Sequence, residues 1–226
     1  MTAPVPAGFF SLALLASLSL LASAASMAAS TLTVSVTSAD HRPVSGVVVT
    51  ATALGAPIRP SRERKPAVMD QVNKTFVPQV LVVAAGTAVE FPNSDSVSHQ
   101  VYSFSPAKHF QLSLYKGEVH SPIQFDQPGL VVLGCNIHDS MVGYIYVAET
   151  PFFGRTGETG RLALDDLPAG RYRLTLWSPT IADDSASLTR ELKLDGSSAA
   201  DVKFDLLKPL RAQPVPRPRP DGWESY

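Results

Sequence analysis

The feature that most limits what this chain can fold into is a succession of short apolar runs, each bounded by turn residues. TLTVSV (31–36), VVVTATAL (47–54), FVPQVLVV (76–83), AVEF (88–91), QVYSF (100–104), FQLSL (110–114) and PIQF (122–125) form the first half of the series. LVVLG (130–134), YIYVA (144–148), RLAL (161–164), RYRLTLW (171–177), LTRELKL (188–194) and DVKFDLL (201–207) continue it. These runs are rich in β-branched and aromatic residues, and several alternate apolar with polar. That period of two buries one face of a strand and wets the other. No stretch carries a sustained helical period with caps at both ends. The expectation is an all-β protein built from sandwiches or barrels.

One apolar run does not fit the series. FFSLALLASLSLLASAA (9–25) has no charge and is followed by Ser26, Met27, Ala28 and Ala29. A short uncharged core ahead of small residues reads as a secretory signal peptide over 1–29, cleaved near residues 24 to 29, although MTAPVPAG supplies no Lys or Arg before it. It is slightly short of the ~20 apolar residues that a span prefers. The mature chain is therefore expected to be periplasmic or secreted, with no stable membrane span once the leader is gone. The segment APIRPSRERKP (56–66) reads as a linker or exposed loop. The Pro- and Arg-rich end 208–226 reads as an extended, disordered tail.

Composition removes several function classes. Nineteen Lys and Arg against 20 Asp and Glu give a net charge of −1, with only 17% charged residues. Such a chain has no basic field for nucleic acid. Its single cysteine cannot make an internal disulfide. Nothing resembles a Ser-His-Asp triad, a catalytic carboxylate pair or a Gly-rich phosphate loop, so the reading is that it is not an enzyme. Asp165-Asp166 reads as a turn leading into a strand, and Asp183-Asp184 as a loop.

The chemistry gathers in Gly134-Cys135-Asn136-Ile137-His138-Asp139-Ser140-Met141, between the runs LVVLG and YIYVA. A thiol, an imidazole and a thioether at i, i+3 and i+6 in one loop can converge on a point. Soft sulfur with imidazole is what copper prefers, and a trigonal His₂Cys set with a weak axial Met is the blue-copper arrangement. The second imidazole must come from elsewhere, and His99, in EFPNSDSVSHQVYSF, is the best candidate. An unpaired thiol in an oxidising compartment is a liability that a bound metal removes. The other readings are a buried structural Cys, a surface His138, a turn His99 and a core Met141. His41, His109 and His120 lack spaced partners and are expected to face solvent. Met69 is a further soft side chain, with packing its ordinary role.

These residues carry a resemblance. The pattern from Phe76 to Val147, F-x-P-x-x-L-x-V-x-x-G-T-x-V-x-F-P-N-x-D-x-x-x-H-x-V, then D-x-P-G, then G-C-x-x-H-x-x-M-x-G-x-I-x-V, is similar to the cupredoxins, the plastocyanin and pseudoazurin superfamily. More narrowly, MDQVNKTFVP and GCNIHDSMVGYI resemble exported cupredoxin-like proteins of the methylamine utilization type. The resemblance implies a Greek-key sandwich over 65–150 holding one mononuclear Cu(I)/Cu(II) through His99, Cys135, His138 and Met141. It also implies that Asn93 ties the two ligand loops together. Plastocyanin-like loops place more residues between the second His and the Met, so the tight His138–Met141 spacing departs from that pattern.

A second resemblance frames the first. TLTVSVTSADHRPVSGVVVTATAL and GETGRLALDDLPAGRYRLTLWSP are similar to the two halves of a carboxypeptidase regulatory-like domain, a small immunoglobulin-like β-sandwich. The two halves, 30–54 and 154–207, lie on either side of the cupredoxin-like segment. They imply either one split sandwich with an insertion, which loop tips tolerate, or a first hairpin that joins the cupredoxin sheet. The function implied is one-electron transfer with a redox protein such as a dehydrogenase or a cytochrome. The alternatives are a periplasmic copper carrier or storage protein, and a metal-free binding module.

Overall fold

The computed structural model describes residues 29–58, 65–117 and 120–212. The leader, the middle of the linker and the end of the tail lie outside these residues. In chain order the strands are β1 (Ala29–Thr37), β2 (Val48–Ala53), β3 (Ala67–Val68), β4 (Asp70–Val72), β5 (Thr75–Val77) and β6 (Val80–Ala84). There follow β7 (Thr87–Glu90), β8 (Tyr102–Ser105), β9 (Lys108–Gln111), β10 (Ile123–Phe125), β11 (Gly129–Gly134) and β12 (Val142–Ala148). The last are β13 (Phe153–Arg155), β14 (Arg161–Pro168), β15 (Gly170–Trp177), β16 (Thr189–Leu194) and β17 (Ala200–Asp205). The described chain is all-β. No helix among the described residues is long and apolar enough to cross a membrane.

The first and last described strands pair with one another. β1 runs antiparallel to β14 and parallel to β17, making a three-stranded sheet. β13, β2, β15 and β16 form a four-stranded sheet, all antiparallel. Alternation explains why they face each other. In β1, Leu32, Val34 and Val36 point inward while Thr31, Thr33 and Ser35 stay partly wet. In β15, Tyr172, Leu174 and Leu176 do the same between two arginines and a threonine. With Val49, Leu167 and Phe204 they make one core, each large side chain contributing about 1.5–3 kcal/mol by leaving water.

The intervening segment builds a second core. β6, β12, β11, β8 and β9 form a five-stranded sheet, β10, β7 and β3 a smaller one, and β4 and β5 a separate hairpin. Phe76, Phe91, Phe125, Val131, Leu133, Ile145 and Val147 fill the space between, and none belongs to the first core. The β4–β5 hairpin turns on Asn73 and Lys74, both at positive φ (51° and 57°), the conformation that a two-residue hairpin of matching twist requires.

The two cores meet along one edge. Trp177 lies against Tyr144 and Tyr146 of β12, with ring centroids 5.5 and 5.7 Å away. Arg155 Nη1 donates to the Val80 carbonyl at 2.8 Å, and Thr150 Oγ1 to the Ala51 carbonyl at 2.7 Å.

Some expectations need correcting. Asp165 and Asp166 are not a turn before a strand but lie inside β14, at a β-bulge. Between Ser30 and Leu32 the partners jump from Leu167 to Leu164, and Asp166 takes φ 60° to absorb the extra residue. Aspartate tolerates that left-handed conformation better than most residues. The start of the tail is tied down: Leu207 and Lys208 donate backbone N–H bonds to the Asp183 carboxylate at 2.7 and 2.9 Å, and Arg211 N donates to the Thr180 carbonyl.

Candidate metal centre

The loop that presents His99 follows β7, which ends at Glu90 just ahead of Phe91 and Pro92. Asn93, Asp95 and Ser96 then fold it on itself. Asn93 is buried, and its Nδ2 donates to the carbonyls of Val97 (3.0 Å) and Tyr115 (2.8 Å), while its Oδ1 accepts the Asp95 N–H (3.0 Å). Its ties therefore hold the upstream loop to the Tyr115 segment. Asp70 of β4 pins the same loop by accepting from Ser94 N and Ser94 Oγ. Backbone bonds in both directions between His99 and Tyr115, each 3.0 Å, fix the histidine at its base. Tyr115 is itself anchored: it donates to the Phe91 carbonyl and accepts from the fully buried Gln71. Burial pushes its hydroxyl up to about 12, so it remains a donor at any ordinary pH.

The second loop joins β11 to β12. A Cβ on Gly134, the last residue of β11, would sit 2.7 Å from the hydroxyl end of the Tyr102 ring, so a larger residue there displaces that ring. A turn then closes from Met141 N to the His138 carbonyl at 2.9 Å.

The two loops bring three side chains together. Cys135 Sγ lies 3.7 Å from His99 Nδ1 and 3.8 Å from His138 Nδ1, and the two nitrogens are 3.1 Å apart. The point equidistant from all three atoms is about 2.1 Å from each, inside the span of roughly 2.0–2.3 Å for bonds from a metal to imidazole nitrogen and thiolate. His99 and Cys135 are buried and His138 is half-buried, so one edge of the group is open to water. Met141 is buried in the same core as Cys135.

The electrostatics favour a thiolate. Burial pushes the Cys135 thiol up, but the His99 imidazole and the backbone N–H groups of Gln100, Ile137 and His138 outweigh it, and the net shift is downward. For His99, burial alone would lower the imidazole, but Cys135 and Asp95 reverse the sign and raise it. A soft thiolate and two imidazole nitrogens around one point are a donor set that fits copper.

The remaining candidates are placed elsewhere. Met69 is a fully buried packing residue. His41 and His109 are exposed, the latter edge-on to Phe104. His120, expected in solvent, is instead half-buried with its ring edge-on to Tyr115 at 4.5 Å, and its Nε2 is buried without a hydrogen-bond partner among the described residues. Sequence reasoning missed Asp95, whose Oδ2 is 3.0 Å from His99 Nε2. The available signal was a carboxylate four residues before the histidine inside a turn-rich loop.

No protein-family model matches the chain, and no curated protein matches it. Solved structures do. A purple cupredoxin from Nitrosopumilus maritimus is 24% identical, over 36% of this chain and 99% of that one, with a TM-score of 0.31. A reduced amicyanin variant is 22% identical, over 43% and 97%, with a TM-score of 0.33. The copper-containing nitrite reductase from Thermus scotoductus SA-01 is 28% identical, with a TM-score of 0.35; the match covers 50% of this chain and 28% of the reductase.

Proposed function

We propose that the chain is an exported copper protein that passes single electrons, with His99, Cys135 and His138 as equatorial ligands and Met141 as the axial one. The observation that carries this reading is the convergence of Sγ and two Nδ1 atoms on one point at metal-bonding range. Copper in such a site would cycle between Cu(II) and Cu(I) by gaining or losing one electron. The chain's part is to hold the donors still. His99 is fixed by backbone bonds to Tyr115, and Cys135 by three backbone N–H groups. A rigid frame limits rearrangement between the two oxidation states. A full set of protein ligands leaves no position for a substrate, which favours a carrier over a catalyst. His138, at the half-open edge, is the natural point of electron entry and exit.

The finer assignments belong to the same proposal. Residues 30–54 with 154–207 form a carboxypeptidase regulatory-like sandwich into which the cupredoxin domain, 65–150, is inserted; the strand pairing of β1 with β14 and β17 supports this. The leader at 1–29 directs export to the periplasm or beyond. The partner is a dehydrogenase or a cytochrome, in methylamine utilization, on the resemblance of the MDQVNKTFVP and GCNIHDSMVGYI segments.

The test is to add Cu(II) to the purified protein and record its visible spectrum. A thiolate-to-copper charge-transfer band that vanishes in Cys135→Ser is expected, together with a reversible one-electron couple. No band, or a band that survives Cys135→Ser, defeats the ligand assignment. A band whose copper passes rapidly to a competing chelator points to copper delivery instead.

A further inference from the structure

We propose that Asp95 is the positioning residue of the site: its carboxylate holds the Nε2 proton of His99, so that Nδ1 is the unprotonated donor facing Cys135 and His138. This inference rests on the copper reading above. It concerns a residue that makes no contact with the three converging donor atoms and acts only through His99.

The geometry leaves one arrangement open. A carboxylate accepts and does not donate, so at 3.0 Å from Asp95 Oδ2 the His99 Nε2 must carry the proton. In the neutral ring, the form that can bind a metal, the lone pair is then on Nδ1, the atom 3.7 Å from Cys135 Sγ and 3.1 Å from His138 Nδ1. The opposite tautomer would point a proton into the group of donors and leave two acceptors facing each other at Nε2. Because the His99 side chain is 0% exposed and the Asp95 side chain 8% exposed, water is a poor substitute for either partner.

Asp95 is itself built into place. Its Oδ2 also accepts the Lys74 N–H at 2.6 Å, its Oδ1 accepts the Ser96 N–H at 2.7 Å, and its own N–H is held by Asn93. The Lys74 N–H is available because the β4–β5 hairpin turns through positive φ at Asn73 and Lys74 and leaves that group pointing outward from the turn. The hairpin thus braces the carboxylate, and the carboxylate orients the imidazole. Three donors, Lys74 N, Ser96 N and His99 Nε2, thus meet the two oxygens of the Asp95 carboxylate. A negative charge held behind a ligand imidazole makes the ring a stronger donor and favours the higher charge on a metal in front of it.

The experiment has a metal-free arm and a copper arm. In the first, long-range ¹⁵N–¹H NMR of the metal-free protein, followed up the pH scale until the His99 ring is neutral, reads its tautomer directly. The Nε2–H form is expected in the wild type, and a mixture in Asp95→Ala. In the second, aqueous copper is added to the wild type, Asp95→Asn and Asp95→Ala. Asp95→Ala is expected to weaken copper binding about 10–100-fold. Asp95→Asn keeps an acceptor oxygen but loses the charge, and is expected to weaken Cu(II) relative to Cu(I) about tenfold, a rise in potential of about 59 mV for one electron. An Nδ1–H tautomer in the wild type, or a potential unchanged in Asp95→Asn, overturns the inference. If the wild type gives no copper band, the copper reading fails by itself, and the tautomer still decides whether Asp95 orients His99. If Asp95→Ala does not fold, the wild-type tautomer and Asp95→Asn carry the test.

Discussion

His99 Nδ1 and His138 Nδ1 face each other at 3.1 Å, one from a buried ring and one from a half-buried ring. The asymmetry of burial gives the two imidazoles different fates when removed. In His138→Gly the lost ring leaves a gap at the open edge, and free imidazole in solution is expected to enter it and restore the copper charge-transfer band. In His99→Gly the gap is enclosed and backed by Asp95, so added imidazole is expected to restore little. Absorption titrations of both variants with copper and imidazole check this; equal rescue of the two would contradict the burial argument.

The glycine after the second loop is a packing requirement. A Cβ on Gly143 would lie 2.8–2.9 Å from the ring and Cβ of Phe76, and Phe76 is fully enclosed. Having no free space, the ring must push on its neighbours. Gly143→Ala is expected to destabilise the protein by about 1–3 kcal/mol, the usual cost of overpacking. Denaturant midpoints measure it, and a midpoint within error of the wild type would mean that the Phe76 pocket relaxes freely.

Strands with clear alternation, such as β1 and β15, are legible in the sequence because their inward residues are the apolar ones at every second position. β3, β4 and β13 are not, since runs of two or three residues hold no period. Asp165-Asp166 looks like a turn because Asp favours turns, whereas the bulge in β14 needs the same left-handed conformation in mid-strand. At the site, Cys135 and His138 declare themselves by spacing within one loop. Asp95 does not, because its role depends on an N–H from Lys74, which reaches it only when the β4–β5 hairpin folds over the loop. His120 was unreadable for a similar reason: Tyr115, its ring partner, meets it only through the fold.

The turn between β16 and β17 should register in acid. Backbone N–H groups of Ser197 and Ser198 and the Ser198 hydroxyl all bond to Asp195, and these contacts pull its carboxyl down to about 2 from an ordinary 3.8. A carboxylate with a lowered folded-state value stabilises the fold above the unfolded value, and the effect is lost as pH falls through the folded one. The relevant window is therefore between pH of about 4 and about 2. Thermal midpoints of the wild type are expected to fall more steeply across that window than those of Asp195→Asn. Parallel slopes would show that the turn does not distinguish the ionised from the neutral side chain.

Trp177 carries the aromatic contact between the two cores. It ends β15 and packs on Tyr144 and Tyr146, residues of the strand that leads out of the Cys135–His138 loop. Each aromatic pair is worth about 0.5–1.5 kcal/mol beyond the area it covers, so Trp177→Ala is expected to cost about 1–3 kcal/mol. The two clusters share no buried residue, and the edge also carries the Arg155–Val80 and Thr150–Ala51 hydrogen bonds and one between Tyr146 and Thr50. Weakening the edge should therefore loosen the coupling between them. Calorimetry is expected to show a broader or split unfolding transition in Trp177→Ala, and the tryptophan's own fluorescence in the wild type should report the melting of the edge. A single sharp transition at the wild-type temperature would mean that the hydrogen bonds and the backbone crossing at residues 149–152, not the ring contacts, hold the two cores together.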